Sequence, residues 1–112
     1  MNSSSLKSIT VQELHELAGR QPVEIIDVRT SKEFLEVRAA GVRLVPLGEI
    51  DPRNLIESRT LGGDEPIYFI CHLGGRSARA CMALIEAGYP NVVNVAGGTE
   101  AWEAAGLPVE RG

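Results

Sequence analysis

The chain has 112 residues, of which 44% are hydrophobic and 23% charged, and its formal net charge is −4 at pH 7. These values indicate one folded domain, here 8–112, and exclude disorder along the whole chain. An acidic chain with no run of Lys or Arg is not expected to bind nucleic acid. No apolar stretch approaches the ~20 residues of a membrane span, so no membrane partner is expected.

The first residues, 1–7, are polar and are predicted to form a disordered or flexible N-terminus. They contain no apolar signal core. The two cysteines, ten residues apart, do not make a disulfide scaffold. Together these observations favour a cytoplasmic protein with reduced thiols.

Helix and strand signals then alternate along the chain. Capping-box patterns at Thr10 and Thr30, each followed by Glu three residues later, predict two short helices. Four apolar runs are predicted to be strands: 23–27, 43–47, 67–71 and 92–95. Three further helices are predicted: 52–58, 76–87 and 99–105. This alternation predicts an α/β fold, a small open parallel β-sheet flanked by helices on both faces.

The strand predicted at 67–71 has the most apolar sequence in the chain and shows no alternation, which is typical of a central strand buried on both faces. In open parallel sheets, ligands bind beyond the carboxyl ends of the strands. Two polar features follow strands in this way, Asp27 with Arg29 and Cys71 with His72. The sequence therefore predicts a site at this edge of the sheet.

The segment after the central strand, CHLGGRS, has the residues of an anion-binding loop. Gly74 and Gly75 permit backbone conformations that are costly for other residues, and the amides of such a turn can converge on one point. The helix predicted to start near Arg76 adds the positive end of its dipole. A thiolate at Cys71 would be stabilised there, and Arg76 could bind a negative substrate group.

The cysteines have plainer interpretations as well. A free cysteine is most often a buried residue without chemistry, which remains the alternative for Cys71. For Cys81 we favour the interpretation as a buried residue without chemistry, because Cys81 shares an apolar helical stripe with Leu84. No Cys-x-x-Cys pair and no zinc-ligand spacing is present, so neither a dithiol site nor a metal site is expected. His72 is assigned an electrostatic role in preference to general-base duty.

Three segments in order resemble the rhodanese-like domain of single-domain sulfurtransferases. DVRTSKEF resembles the family's Asp-Val-Arg stretch, CHLGGRSARA its active-site loop, and VVNVAGGTEAW followed by GLPV its C-terminal signature. The resemblance covers about 8–110. In place of the Gly-His-Ile-Pro-Gly-Ala segment of many members, this chain has the atypical segment 37–43 at the pocket rim.

The resemblance implies a thiosulfate sulfurtransferase in which Cys71 accepts a sulfane sulfur, becomes a persulfide, and passes the sulfur to cyanide or a thiol. A sulfur-accepting protein is a further partner that it allows, and no cofactor is implied. The implied substrate-binding residues are His72, Leu73, Gly74, Gly75, Arg76 and Ser77. Asp27 and Arg29 are interpreted as supporting residues that fix the loops around the site.

Two other functions stay open from the sequence. A Cys-dependent phosphatase or arsenate reductase has a related loop with the spacing Cys-x5-Arg, whereas Cys71 and Arg76 here have the shorter spacing Cys-x4-Arg. The shorter loop forms a smaller ring of backbone amides, and such a ring favours a single bound sulfur atom over a phosphate. A non-catalytic binding or regulatory module of the same family is the other alternative, although such modules usually lack the cysteine.

Overall fold

The computed structural model describes residues 6–59, 61, 62 and 64–112. The strands are β1 (Lys7–Ile9), β2 (Glu24–Asp27), β3 (Arg38–Ala39), β4 (Arg43–Leu44), β5 (Ile67–Ile70), β6 (Val92–Val95) and β7 (Val109–Glu110). The α-helices are α1 (Val11–Ala18), α2 (Ser31–Glu36), α3 (Pro52–Glu57), α4 (Gly75–Glu86) and α5 (Gly98–Ala104). A 3₁₀ turn spans Leu47–Glu49.

Five strands form one parallel sheet in the order β1-β6-β5-β2-β4. Strand β5 lies at its centre, as its unbroken apolar sequence predicts, and all four of its residues are buried. The register is set by pairs such as Tyr68 with Ile25 on one side and with Val93 on the other. Because the strands are parallel, their carboxyl ends meet at one edge, where Cys71 follows β5.

Each face of the sheet is covered by helices. One apolar cluster packs α3 and α4 against the sheet and includes Phe69 and Leu84. The other packs α1 and α5 against the opposite face and includes Leu14, Tyr68 and Trp102. The predicted parallel α/β architecture with helices on both faces is therefore confirmed.

The predicted helix starts are confirmed by their hydrogen bonds. Glu13 N donates to Thr10 Oγ1 at 3.1 Å while Thr10 N donates to the Glu13 carboxylate at 3.0 Å. Thr30 and Glu33 form the same capping box at α2. Helix α4 begins at Gly75, one residue before the predicted start. No helix within the described ranges is long and apolar enough to span a bilayer.

The short edge elements differ from the prediction. Strand β1 was not predicted, because only three residues pair and none of them is buried. The strand predicted at 43–47 pairs only at Arg43–Leu44 before the chain turns into the 3₁₀ segment. The antiparallel β3–β7 pair was also missed. Of the segment predicted to be flexible, 1–5 lies outside the described residues, while Lys7 belongs to β1.

The start of α5 packs against the segment that follows β5. Gly98 has a φ of +61°, and a Cβ there would lie 2.5 Å from the His72 carbonyl oxygen and would also overlap the carbonyl oxygen of Cys71. Only glycine lets the two backbones approach this closely. Gly98 therefore fixes the distance between α5 and the loop that carries Cys71.

Replacing Gly98 with alanine should destabilise the fold more than a matched glycine substitution. Gly88 also has a positive φ, +95°, but a Cβ there would meet nothing within 4 Å. We expect Gly88→Ala to cost about 1–2 kcal/mol from backbone strain alone, and Gly98→Ala about 2–5 kcal/mol because steric overlap is added. Urea unfolding of both variants measures the difference, and equal costs would contradict the close packing at Gly98.

Candidate active site

The site is built around Cys71, the residue directly after the central strand. Its side chain is 1% exposed and contributes to the core between the sheet and α4. Cys71 also borders an open cavity of about 380 Å³ at the carboxyl edge of the sheet. The cavity is lined by Cys71, His72, Leu73, Gly75, Arg76 and Arg79. Cys71 is thus buried among apolar groups and at the same time borders this cavity.

Backbone amides of the loop surround the sulfur. Gly74 N donates to Cys71 Sγ at 3.0 Å, and Gly74 has a φ of +126°, which other residues rarely adopt. Burial alone raises the pKa of the Cys71 thiol. Hydrogen bonds from Ser77, both side chain and amide, and from the amides of Gly74 and Leu73 outweigh this effect, so the pKa lies below the ordinary value of 9.0. The loop therefore favours a thiolate, as the sequence predicts.

The carbonyl groups of the loop point toward α5. Thr99 N and Thr99 Oγ1 donate to the Cys71 carbonyl oxygen at 2.8 Å and 3.1 Å, and Glu100 N donates to the His72 carbonyl oxygen at 3.1 Å. With these acceptors satisfied by the first turn of α5, the following amides are left to turn toward Sγ. The C-terminal segment thus shapes the nucleophile loop from outside it.

A buried serine contacts the sulfur from the other side, and an asparagine contacts that serine. Ser77 Oγ lies 3.3 Å from Cys71 Sγ and 2.5 Å from Asn94 Oδ1, and Asn94 Nδ2 donates to the Gly74 carbonyl oxygen at 3.3 Å. The serine has one hydroxyl proton and therefore donates to one acceptor at a time. When Cys71 is ionised, the Ser77 hydroxyl is the side-chain donor that can stabilise it.

Removing the Ser77 hydroxyl should raise the pKa of Cys71. In a Cys81→Ser background, we expect Ser77→Ala to shift the pH profile of Cys71 alkylation by iodoacetamide to higher pH, because burial remains while a hydrogen bond to the thiolate is lost. Ser58→Ala is the control, since that hydroxyl donates to the Leu55 carbonyl outside the Cys71 cavity. An unchanged profile would contradict a role for Ser77 in stabilising the thiolate.

Arg76 forms a two-point ion pair with a residue from a different helix. Its Nη1 and Nη2 donate to the two carboxylate oxygens of Glu33 at 2.8 Å and 3.0 Å. The same carboxylate accepts from Thr30 in the capping box of α2. The Arg76 hydrogen bonds are the main reason that the pKa of Glu33 falls from 4.5 to about 2. This pair links the nucleophile loop to α2.

The ion pair makes stability depend on pH in a defined window. The folded carboxyl of Glu33 protonates near pH 2 and the unfolded one near 4.5, so its stabilisation is complete above pH 4.5 and is lost as pH falls toward 2. We expect the difference in unfolding free energy between the parent and Glu33→Gln to be full at neutral pH and to shrink across this window. Urea unfolding at several pH values measures it, and a difference that grows on acidification would contradict the pairing.

Asp27 and Arg29 form a buried pair at the neighbouring strand end. Arg29 Nη2 donates to the Asp27 carboxylate at 2.8 Å and to the Val37 carbonyl oxygen at 2.6 Å, and Arg29 N donates to Asp27 Oδ1 at 3.0 Å. Neither residue lines the Cys71 cavity. Their contacts join the end of β2 to the end of α2.

Of the remaining predicted site residues, some line the cavity and others contact the sulfur of Cys71. His72 and Leu73 are exposed at the cavity mouth, Leu73 by 58%. Gly74 and Ser77 do not line the cavity but contact Sγ from behind. Cys81 is fully buried, and burial raises its pKa to about 12, so it has the character of an inert core thiol.

Sequence reasoning missed several residues that shape this site. Glu33 was assigned only to the capping box, which already explained a glutamate at that position. Asn94 is a polar residue near the carboxyl end of an apolar strand, and this position in the sequence could have indicated a role at the site. Arg79 was not assigned to the cavity that it lines. Among the described residues, no cluster of three or more His, Cys, Asp or Glu side chains could hold a metal ion.

The loop geometry and the sheet agree with comparisons against known proteins. Residues 10–105 match the model of the rhodanese-like domain, and the chain therefore belongs to the rhodanese-like family. The resemblance drawn from the three sequence segments is confirmed.

Individual relatives carry names from sulfur chemistry. The chain is 34% identical to the Arabidopsis thaliana protein named thiosulfate sulfurtransferase 16, chloroplastic, with 92% of each chain covered. It is 31% identical to YrkF of Bacillus subtilis, named as a candidate sulfur carrier protein, over 90% of this chain and 53% of that protein. The chain thus spans about half the length of that relative.

Solved structures show the same fold. A rhodanese-like domain protein from Staphylococcus aureus superposes with a TM-score of 0.73 at 38% identity, covering 87% of this chain and 91% of that one. Together with the named relatives, this makes the chain a member of the rhodanese-family sulfurtransferases.

Proposed function

We propose that this protein is a thiosulfate sulfurtransferase of the rhodanese type, in which Cys71 carries the transferred sulfur as a persulfide. The observation that supports the proposal most is the position of Cys71, which lines an open cavity while its Sγ accepts the Gly74 N–H at 3.0 Å. A thiolate is the nucleophilic form of cysteine, and its pKa is lowered here despite burial.

In the first half-reaction, the Cys71 thiolate attacks the outer sulfur of thiosulfate. A bond forms between Sγ and that sulfur, the sulfur–sulfur bond of the donor breaks, and its electron pair leaves with sulfite. The product is a Cys71 persulfide anion. The Gly74 amide and the positive end of α4 stabilise negative charge both before and after the transfer.

In the second half-reaction, cyanide or a thiol attacks the outer sulfur of the persulfide. The bond to Cys71 Sγ breaks and its electrons return to the cysteine as a thiolate, so the enzyme is regenerated. Cyanide leaves as thiocyanate, and a thiol acceptor leaves as a new persulfide. Because the enzyme holds the sulfur between the two steps, ping-pong kinetics are expected. Neither half-reaction calls for a cofactor.

The depth of Cys71 selects the kind of donor that reaches it. A side chain that is 1% exposed is accessible only to an atom at the end of a donor, and a terminal sulfane sulfur has that position in thiosulfate, persulfides and polysulfides. Leu73, exposed at the mouth, is an apolar surface for a thiol acceptor or for a sulfur-accepting protein. Both cysteines are free thiols, which suits the cytoplasm, where thiols stay reduced.

The phosphatase alternative has less support. Its loop needs room for a tetrahedral oxyanion, whereas the spacing from Cys71 to Arg76 here is one residue shorter. The guanidinium nitrogens of Arg76 are also held by Glu33. A non-catalytic module has less support as well, because the nucleophile and its amide donor are both present. Assays with an aryl phosphate and with thiosulfate plus cyanide separate these functions.

Intact-mass spectrometry after incubation with thiosulfate tests the proposed intermediate. We expect one added sulfur atom on the parent, removed by cyanide with release of thiocyanate, because the Cys71 persulfide is the sulfur carrier. The Cys71→Ser variant should gain no sulfur, while Cys81→Ser, which removes the buried core thiol, should gain one. Sulfur on Cys81 in place of Cys71, or release of phosphate without thiocyanate, would refute the proposal.

A further inference from the structure

Arg76, the arginine expected to bind the sulfur donor, already forms an ion pair with Glu33. Both terminal nitrogens of Arg76 donate to the Glu33 carboxylate, which the Thr30 capping box holds in place. The pair brings one positive and one negative charge together, so Arg76 adds no net charge to the cavity. A bidentate arginine–carboxylate pair also leaves less of the guanidinium for another anion.

A second guanidinium lies free at the same cavity. Arg79 lines the cavity with Cys71 and is exposed. Within the described part of the chain, its side chain has neither a hydrogen bond nor an ion pair. It follows Gly75 by four residues on α4, so both lie on the helix face that borders the cavity. Arg79 therefore supplies the uncompensated positive charge at the mouth.

The charges around the sulfur then limit the charge of the donor. Arg76 is offset by Glu33, and the nearby Arg29 is offset by Asp27. Among the described residues that line the cavity, Arg79 is the arginine that no carboxylate offsets, so it can match one negative charge of a donor and leaves the second charge of a dianion unmatched.

We propose that Arg79 binds the charged end of the sulfur donor and that Glu33, by neutralising Arg76, makes the site select monoanionic donors over dianionic ones. Organic persulfides and thiosulfonates are the monoanionic class, and thiosulfate is the dianion. The inference rests on the proposed sulfur transfer through Cys71 and names the substrate class of that site. Arg79 is a binding residue, and Glu33 is a positioning residue that acts through Arg76.

The chemistry is the same for both donor classes, which makes the charge effect measurable. With methanethiosulfonate, the Cys71 thiolate attacks the terminal sulfur, a new bond forms at Sγ, and the electron pair of the broken sulfur–sulfur bond leaves with methanesulfinate. With thiosulfate it leaves with sulfite. Each reaction yields the same persulfide and conserves charge, so the donors differ mainly in carrying one or two negative charges.

The test is the selectivity ratio, the kcat/KM for methanethiosulfonate divided by that for thiosulfate, with cyanide as acceptor at fixed ionic strength. In ping-pong kinetics each kcat/KM reports the donor half-reaction alone. We expect Glu33→Gln to lower the ratio roughly five- to tenfold through a gain with thiosulfate, because Arg76 regains an uncompensated charge. Gln keeps the length and a capping oxygen of Glu. Glu36→Gln, on the same helix, removes one negative charge outside the cavity and should leave the ratio unchanged.

The role of Arg79 is tested by its own substitutions. Arg79→Ala should raise the KM for both donors, more for thiosulfate, with kcat little changed, and Arg79→Lys should restore most of the loss. Arg53→Ala removes an exposed arginine on α3 and serves as the control. A ratio unchanged by Glu33→Gln, or a donor KM unchanged by Arg79→Ala, would overturn the inference. If neither donor adds sulfur to Cys71 in the parent, the proposed function itself fails.

Discussion

The site depends on the direction in which the carbonyl groups after β5 point. The first turn of α5 donates three hydrogen bonds to the carbonyl oxygens of Cys71 and His72, and Gly98 permits the close approach that this requires. With those oxygens directed toward α5, the Gly74 amide faces the sulfur. A segment that follows the nucleophile by more than twenty residues in sequence thus sets the electrostatic surroundings of the thiol. The stabilised thiolate is a consequence of packing between the sheet and α5, and is not a property of the loop alone.

A second constraint is the balance of charge in an acidic chain with a net charge of −4. The loop needs positive potential to favour a thiolate, but in the proposed reaction with thiosulfate a cavity with several free arginines would bind the sulfite product tightly and slow its release. The ion pair between Arg76 and Glu33 resolves this conflict by tying one guanidinium to α2 while Arg79 stays free at the mouth. Backbone amides and the dipole of α4 then supply the potential next to the sulfur without adding a mobile cation.

Local patterns predicted most of the fold. Capping boxes at Thr10 and Thr30, four apolar runs and the turn glycines sufficed for the helices, the parallel sheet and the edge at which Cys71 lies. They failed for β1, which has no buried residue, and for the antiparallel pair of β3 and β7. At the site, Cys71 and the glycines that follow it lie within seven residues of sequence, so a local pattern was enough to predict the anion-binding loop. Glu33 and Asn94 reach the loop across 43 and 17 residues of sequence, and such contacts leave no local pattern.

The central claim is that the loop turns a buried core thiol into a thiolate nucleophile. A pH titration of the ultraviolet absorbance of thiolate, in a Cys81→Ser background with Cys71→Ser as the blank, measures this most directly. The account predicts a midpoint for Cys71 below the ordinary thiol value of 9.0. A midpoint at or above 9.0, the behaviour that burial alone would produce, would contradict it.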